Sequence, residues 1–230
     1  MNDTKRTRLF TLLAAFLVAD AVIAEMIGGK LIQIGPFTMS IGILPWPVVF
    51  LVTDIINEYF GKDGVRRISF MAAGMIIYAF IVLLAGMMVH AASFSPVTDE
   101  QFTAVFGQSM WIIVGSITAF LASQLTDVVV FWFIRSRTGK RMIWLRATGS
   151  TVVSQLIDTF IVAGIAFWLP GKVSFANYIN MASTGYVAKL LIAVAVTPLI
   201  YLGHSLIHRY LGEEESQVII TETASRELEK

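Results

Sequence analysis

Residues 111–133 read Trp111-Ile112-Ile113-Val114-Gly115-Ser116-Ile117-Thr118-Ala119-Phe120-Leu121-Ala122-Ser123-Gln124-Leu125-Thr126-Asp127-Val128-Val129-Val130-Phe131-Trp132-Phe133, a run of 23 residues with one charge. About 20 mainly apolar residues cover the roughly 30 Å of hydrocarbon in a bilayer. The run is therefore long enough to cross a membrane as one α-helix. Immediately beyond it lie Arg135, Arg137, Lys140 and Arg141, a basic cluster of the kind retained on the cytoplasmic side. An apolar span followed by a basic anchor sets the fold class.

Five further segments have the same character: 9–29, 44–60, 68–91, 148–169 and 183–206. The chain is read as an all-α, polytopic membrane bundle of six transmembrane helices. Basic residues set its orientation. Lys5, Arg6 and Arg8 precede the first span; Lys62, Arg66 and Arg67 follow the second. Arg135, Arg137, Lys140, Arg141 and Arg146 follow the fourth, and Arg209, Arg226 and Lys230 close the chain. Fourteen of the 17 basic residues thus fall on one side, which predicts cytoplasmic N and C termini. Only Lys30 and Lys172 lie in opposite connections. The apolar N-terminal run is read as a retained helix and not a cleaved signal, since it carries Asp20 and Glu25 and more spans follow. Residues 1–211 form the transmembrane domain; 212–230, with Glu213-Glu214-Glu215, are read as a polar, solvated cytoplasmic tail.

Composition agrees. Of 230 residues, 56% are apolar and only 14% charged, with mean hydropathy +0.73, where soluble domains carry about 25% charge. The net charge of +1 excludes a nucleic-acid footprint. Without cysteine there is neither a disulfide framework nor a thiolate metal site. All five tryptophans, at 46, 111, 132, 144 and 168, fall near predicted helix ends, where the interface favours them. Pro198 is predicted to bend the last helix.

Charged groups at membrane depth are costly and point to function. This chain places there Asp20, Glu25, Asp54, Glu58, Asp127, Asp158 and Lys189. Helix 4 reads Ser123-Gln124-Leu125-Thr126-Asp127 and helix 5 Ser154-Gln155-Leu156-Ile157-Asp158. Gln and Asp three apart share one helical face, as do Tyr186 and Lys189. An amide beside a carboxylate supplies donors and acceptors together, as a flat polar heterocycle requires. Asp158, at mid-depth, is the strongest single candidate. The bland readings pair Asp54 and Glu58 with Lys62, Arg66 or Arg67, Asp127 with Arg135 or Arg137, and Lys189 with an aspartate. His204 and His208 are read as interfacial, with no metal site. No HExxH, GxSxG or GxxxxGK[ST] sequence is present, so neither an enzyme nor a cofactor is expected.

The stretch Phe37-Thr38-Met39-Ser40-Ile41-Gly42, leading into Trp46-Pro47-Val48-Val49-Phe50-Leu51-Val52-Thr53-Asp54-Ile55-Ile56-Asn57-Glu58-Tyr59-Phe60-Gly61-Lys62, resembles the second-helix signature of the queuosine precursor transporters, also called vitamin uptake transporters. Gln124-x-x-Asp127, Ser154-x-x-x-Asp158 and Tyr186-x-x-Lys189 follow in that family's order. The resemblance implies uptake of 7-cyano-7-deazaguanine and 7-aminomethyl-7-deazaguanine across the inner membrane. It departs at Glu25, where many relatives carry asparagine. The expected substrate-binding residues are Asp158, Gln155, Asp127, Gln124, Lys189, Tyr186, Glu25 and Asp54. Phe50, Phe160 and Tyr186 are candidate stacking faces. Two alternatives stay open: a substrate-binding subunit of an energy-coupling-factor transporter, and a non-transporting scaffold or sensor. The partners read from the sequence are the deazaguanine solute, the lipid bilayer, a proton or sodium as coupling ion, and a second copy of the chain. That second copy would contact small residues Ala119, Ser123, Ser150, Ser154 and Gly164.

Overall fold

The computed structural model describes residues 3–35, 37–107, 110–139 and 142–228. Lys140, Arg141 and Lys230 of the basic set lie outside them. Seven helices account for nearly all of the described chain: α1 (Asp3–Ile27), α2 (Trp46–Met87), α3 (Asp99–Phe106), α4 (Met110–Thr138), α5 (Ile143–Ala163), α6 (Phe175–Leu211) and α7 (Glu213–Leu228). A π-helical turn, Gly164–Trp168, extends α5. Five helical stretches are long and apolar enough to cross a membrane, where the sequence predicts six spans. The difference lies in α2, whose 42 residues contain the second and third predicted spans without an intervening loop.

Gly61 breaks that helix. Its φ of 74° is left-handed, which an L side chain adopts only at a cost. A Cβ at Gly64 would sit 3.3 Å from Cγ2 of Ile56. Eight residues along a straight helix span about 12 Å, so the chain folds back on itself here. The first half of α2 is then walled in: every residue from Val52 to Tyr59 is buried. The second half shows Phe70, Met71, Met75, Tyr78, Ile81 and Val82 outward, an apolar face suited to lipid.

Around this central segment α1, α4, α6 and α7 pack directly, and α5 packs against α4 and α6. The burial pattern is inverted relative to a soluble bundle. In α5 the buried face is Arg146, Ser150, Thr151, Ser154, Gln155, Asp158 and Thr159, while Val153 and Leu156 face out. A helix that turns its carboxylate and hydroxyls inward and its valine and leucine outward suits a hydrocarbon surround.

Three local features differ from the sequence reading. Leu31–Ile34 (β1) and Phe37–Ser40 (β2) form an antiparallel hairpin between the first two predicted spans, in an otherwise all-α reading. Ser40 anchors it, donating to the Gly28 carbonyl at 2.6 Å. Trp132 does not lie at an exposed interface: it is buried, with the Arg135 guanidinium 4.9 Å from its ring. The segment after Leu211 is helical and docked. Ile219 and Ile220 enter a core with Tyr59, Ile55 and Leu211. Thr223 donates to the Tyr59 carbonyl, and Arg135 donates to that of Ile220. The small residues Ala119, Ser123, Ser150, Ser154 and Gly164 are buried within the chain, so they pack its own helices.

Candidate functional site

The polar groups sort into three levels along the bundle. The middle level is a cleft lined by Phe50 and Thr53 of α2, Ser123, Gln124 and Asp127 of α4, and Thr151, Ser154 and Gln155 of α5. Its polar atoms are already oriented. The Ser154 hydroxyl donates to Asp127 Oδ1 at 3.1 Å, and Thr53 donates to Gln124 Oε1 at 3.5 Å. Ser150 is also within hydrogen-bonding reach of Asp127. The Gln155 Oε1 atom is buried without a hydrogen-bond partner, an acceptor awaiting a donor. The cavity volume is about 10 Å³, room for the centre of one water molecule.

A second cavity adjoins the first. Phe50 and Thr151 line both, and Leu51, Asp54, Ala147, Thr148, Ala193, Thr197 and Ile200 complete it.

One turn along α5 from the cleft, Lys189 of α6 donates its Nζ to Asp158 Oδ2 of α5 at 2.5 Å. Glu25 of α1 belongs to the same neighbourhood: it hydrogen-bonds Ser116 of α4 and feels the charges of Asp158 and Lys189. Tyr186 donates to the Val152 carbonyl at 3.0 Å and does not line either cavity.

In the other direction along α5, at Arg146, lies a buried triad. Glu58 Oε2 receives Arg135 Nη1 at 2.8 Å and Arg146 Nη2 at 2.7 Å. Arg146 also donates to the Gly139 carbonyl at 3.1 Å. Side-chain exposure is 3% for Glu58, 2% for Arg135 and 1% for Arg146. Lys62, Arg66 and Arg67 thus do not pair with Glu58. Lys62 lies over the Trp132 ring, and Arg66 and Arg67 lie over Phe70 and Phe10.

Of the eight residues singled out by sequence, Gln124, Asp127 and Gln155 meet in the cleft, and Asp54 lines the adjoining cavity. Asp158, Lys189 and Glu25 form a network one turn along α5 from the cleft, and Tyr186 braces α5. Sequence reasoning placed Arg135 and Arg146 in a cytoplasmic connection and missed their inward turn. A signal existed: Arg146, Ser150, Ser154 and Asp158 recur every four residues, one helical stripe. His204 and His208 stand edge to face with ring centroids 6.4 Å apart, the first against Tyr59 and the second against Glu213.

A polar cleft thus lies between two buried ion-pair clusters, inside an apolar exterior. The model of the family described as "Putative vitamin uptake transporter" matches residues 40–203. The chain belongs to this family. It is 28% identical over 179 residues to the "Probable queuosine precursor transporter" of Bacillus subtilis (strain 168), covering 77% of each chain. It is 29% identical over 162 residues to the "Queuosine precursor transporter" of Escherichia coli (strain K12), covering 69% of each. To the "Probable queuosine precursor transporter" of Haemophilus influenzae (strain ATCC 51907 / DSM 11121 / KW20 / Rd) it is 25% identical over 162 residues, 69% of this chain and 65% of that one. No solved structure matches. The family match spans α2 to α5 and α6 as far as Gly203, so every residue lining the cleft lies inside it.

Proposed function

We propose that this chain imports the queuosine precursors 7-cyano-7-deazaguanine and 7-aminomethyl-7-deazaguanine across the cytoplasmic membrane, with its arginine-rich end inward. The observation that carries the reading is the meeting of Asp127, Gln124 and Gln155 in one buried cleft beside the Phe50 ring. A deazaguanine edge presents a ring N–H and an exocyclic amine side by side, which a carboxylate accepts through two parallel bonds. Asp127 is the acceptor. Ser154 steadies one of its oxygens, and the amide nitrogens of Gln124 and Gln155 serve the base carbonyl. The free Gln155 Oε1 takes a further donor of the solute. Phe50 stacks on the ring.

A cleft with room for one water does not hold a bicyclic base, so transport needs its walls to part. The Asp158–Lys189 pair at one end and the Glu58–Arg135–Arg146 triad at the other are the two closures. Opening one while the other holds gives alternating access, with the site fixed between them. Asp158, rated highest from sequence, is already taken by Lys189 and serves as a closure, leaving Asp127 for the base. Transport without chemistry fits the relatives' names and asks no bond-making of these residues.

The test is uptake of radiolabelled precursor by cells that lack their own synthesis of it. The parent chain restores accumulation and Asp127→Asn, inserted at equal level, does not. Unchanged accumulation through that variant removes Asp127 from the site.

A further inference from the structure

The second cavity lies beside the base cleft, and its lining is chemically distinct. Asp54 of α2 supplies a carboxylate; Thr148 and Thr151 of α5 and Thr197 of α6 supply hydroxyls; the remaining residues are apolar. The cavity volume, about 10 Å³, again suits one water-sized particle. Asp54 is 4% exposed and, among the described residues, has no hydrogen bond or ion pair. Buried charges are otherwise paired, and this carboxylate faces a cavity instead.

The charges around Asp54 are accounted for. Across from it on α4 stands Asp127, and along its own helix stands Glu58, both negative; from α5 the positive field of Arg146 reaches it. The Arg146 guanidinium is committed to Glu58 and the Gly139 carbonyl. From α6 the cavity receives Ala193, Thr197 and Ile200, with no charge. His204 of α6 lies beyond, against Tyr59.

The Thr148 hydroxyl is left to accept. Thr197 donates its proton to the Ala193 carbonyl at 3.1 Å. The 2.9 Å contact between Thr148 and Thr197 is then a donation from Thr148, which leaves the lone pairs of Thr148 unspent. One carboxylate and several neutral oxygens around a water-sized space match a hard cation. One negative charge matches a single positive one. A divalent ion asks for a denser acidic set, and among the described residues no group of three or more His, Cys, Asp or Glu gathers to hold one.

We infer that Asp54, Thr148, Thr151 and Thr197 form a binding site for a monovalent alkali cation of sodium's size, coupled to the base cleft through the shared wall of Phe50 and Thr151. The coupling is electrostatic. A cation beside Asp54 cancels its repulsion toward Asp127, so cation and base each favour the other, and by linkage the effect is reciprocal. The coupling rests on the proposed base site; the cation site itself does not.

The first measurement therefore contains no base. The full chain, purified in detergent, is melted in sodium chloride, potassium chloride or choline chloride at equal ionic strength. With sodium at about ten times its dissociation constant, the melting temperature rises by about 3–6 °C over choline. Asp54→Asn removes the rise, and the near-isosteric Thr197→Val reduces it while folding as the parent does. Equal melting in all three salts overturns the site, as does a sodium effect that survives Asp54→Asn. A stability that follows pH through Asp54 with no sodium dependence also overturns it, since a proton needs the carboxylate alone. Sodium stabilisation without sodium-dependent base uptake keeps the cation site and strikes out the coupling.

Discussion

Replacing Glu58 by glutamine tests the closure at the arginine-rich end. Glutamine keeps the shape of the side chain and deletes its charge. In the structure both guanidinium groups rest on the same oxygen, Oε2, at 2.8 and 2.7 Å, and all three side chains are at most 3% exposed. The variant therefore leaves two buried cations facing each other across a neutral amide. Removing one partner of a buried ion pair costs about 3–5 kcal/mol, because the remaining charge stays desolvated. At about 2–4 °C per kcal/mol for a chain of this size, the melting temperature falls by about 6–20 °C. Tryptophan fluorescence during thermal unfolding in detergent reads it, with Trp132 reporting locally through its contact with Arg135. The α7 helix should loosen in parallel, since Arg135 also holds the Ile220 carbonyl, and protease should cut there sooner. A triple replacement of Glu58, Arg135 and Arg146 by methionine should recover most of the loss. Melting of Glu58→Gln within about 2 °C of the parent would refute the reasoning, because no buried ion pair of this geometry is lost so cheaply.

Other consequences follow from single contacts. Lys189→Met and Asp158→Asn should each lower stability, by leaving one buried charge alone, while the double variant melts higher than either; additive losses would mean the 2.5 Å contact carries no coupling. Gly61→Ala places a Cβ 2.7 Å from Glu227 Oε1 at a φ of 74°, so it should cost about 1–3 kcal/mol and release α7; a protease-resistant α7 in that variant argues against the fold-back at this residue. Outside the membrane segments, the Ala91 N–H, then His90, holds the Asp99 carboxyl below its usual value of 3.8. Its contact at the start of α3 is complete above pH 3.8 and is lost as pH falls further; a titration of the Ala91 amide with a midpoint above that value contradicts it.

Much of the fold was legible because hydrocarbon imposes a length on every span. Residues 111–133 declare a membrane helix by length alone, and α4 covers them with a turn to spare. What escaped depends on single backbone angles or on distant partners. The string Gly61-Lys62-Asp63-Gly64 has the composition of a loop, yet one left-handed residue suffices to turn the chain and the helix resumes at once. The tail looked polar because the stripe that docks it, Ser216, Ile219, Ile220, Thr223 and Glu227, mixes two apolar residues with three polar ones. At the site, Gln124 and Asp127 were legible from their spacing on one helix. The choice of partner was not, since Asp127 and Asp158 sit in nearly the same local sequence. Tertiary packing gives one a serine in a cleft and the other a lysine.

The assignment of Asp127 to the base is tested most directly by equilibrium binding of 7-aminomethyl-7-deazaguanine to the purified chain in detergent. Loss of one charge-assisted hydrogen bond, about 1.5–3 kcal/mol, weakens binding to Asp127→Asn by about 10–150-fold. An affinity equal to the parent's, in a variant that is folded and inserted, would mean that the solute is held elsewhere.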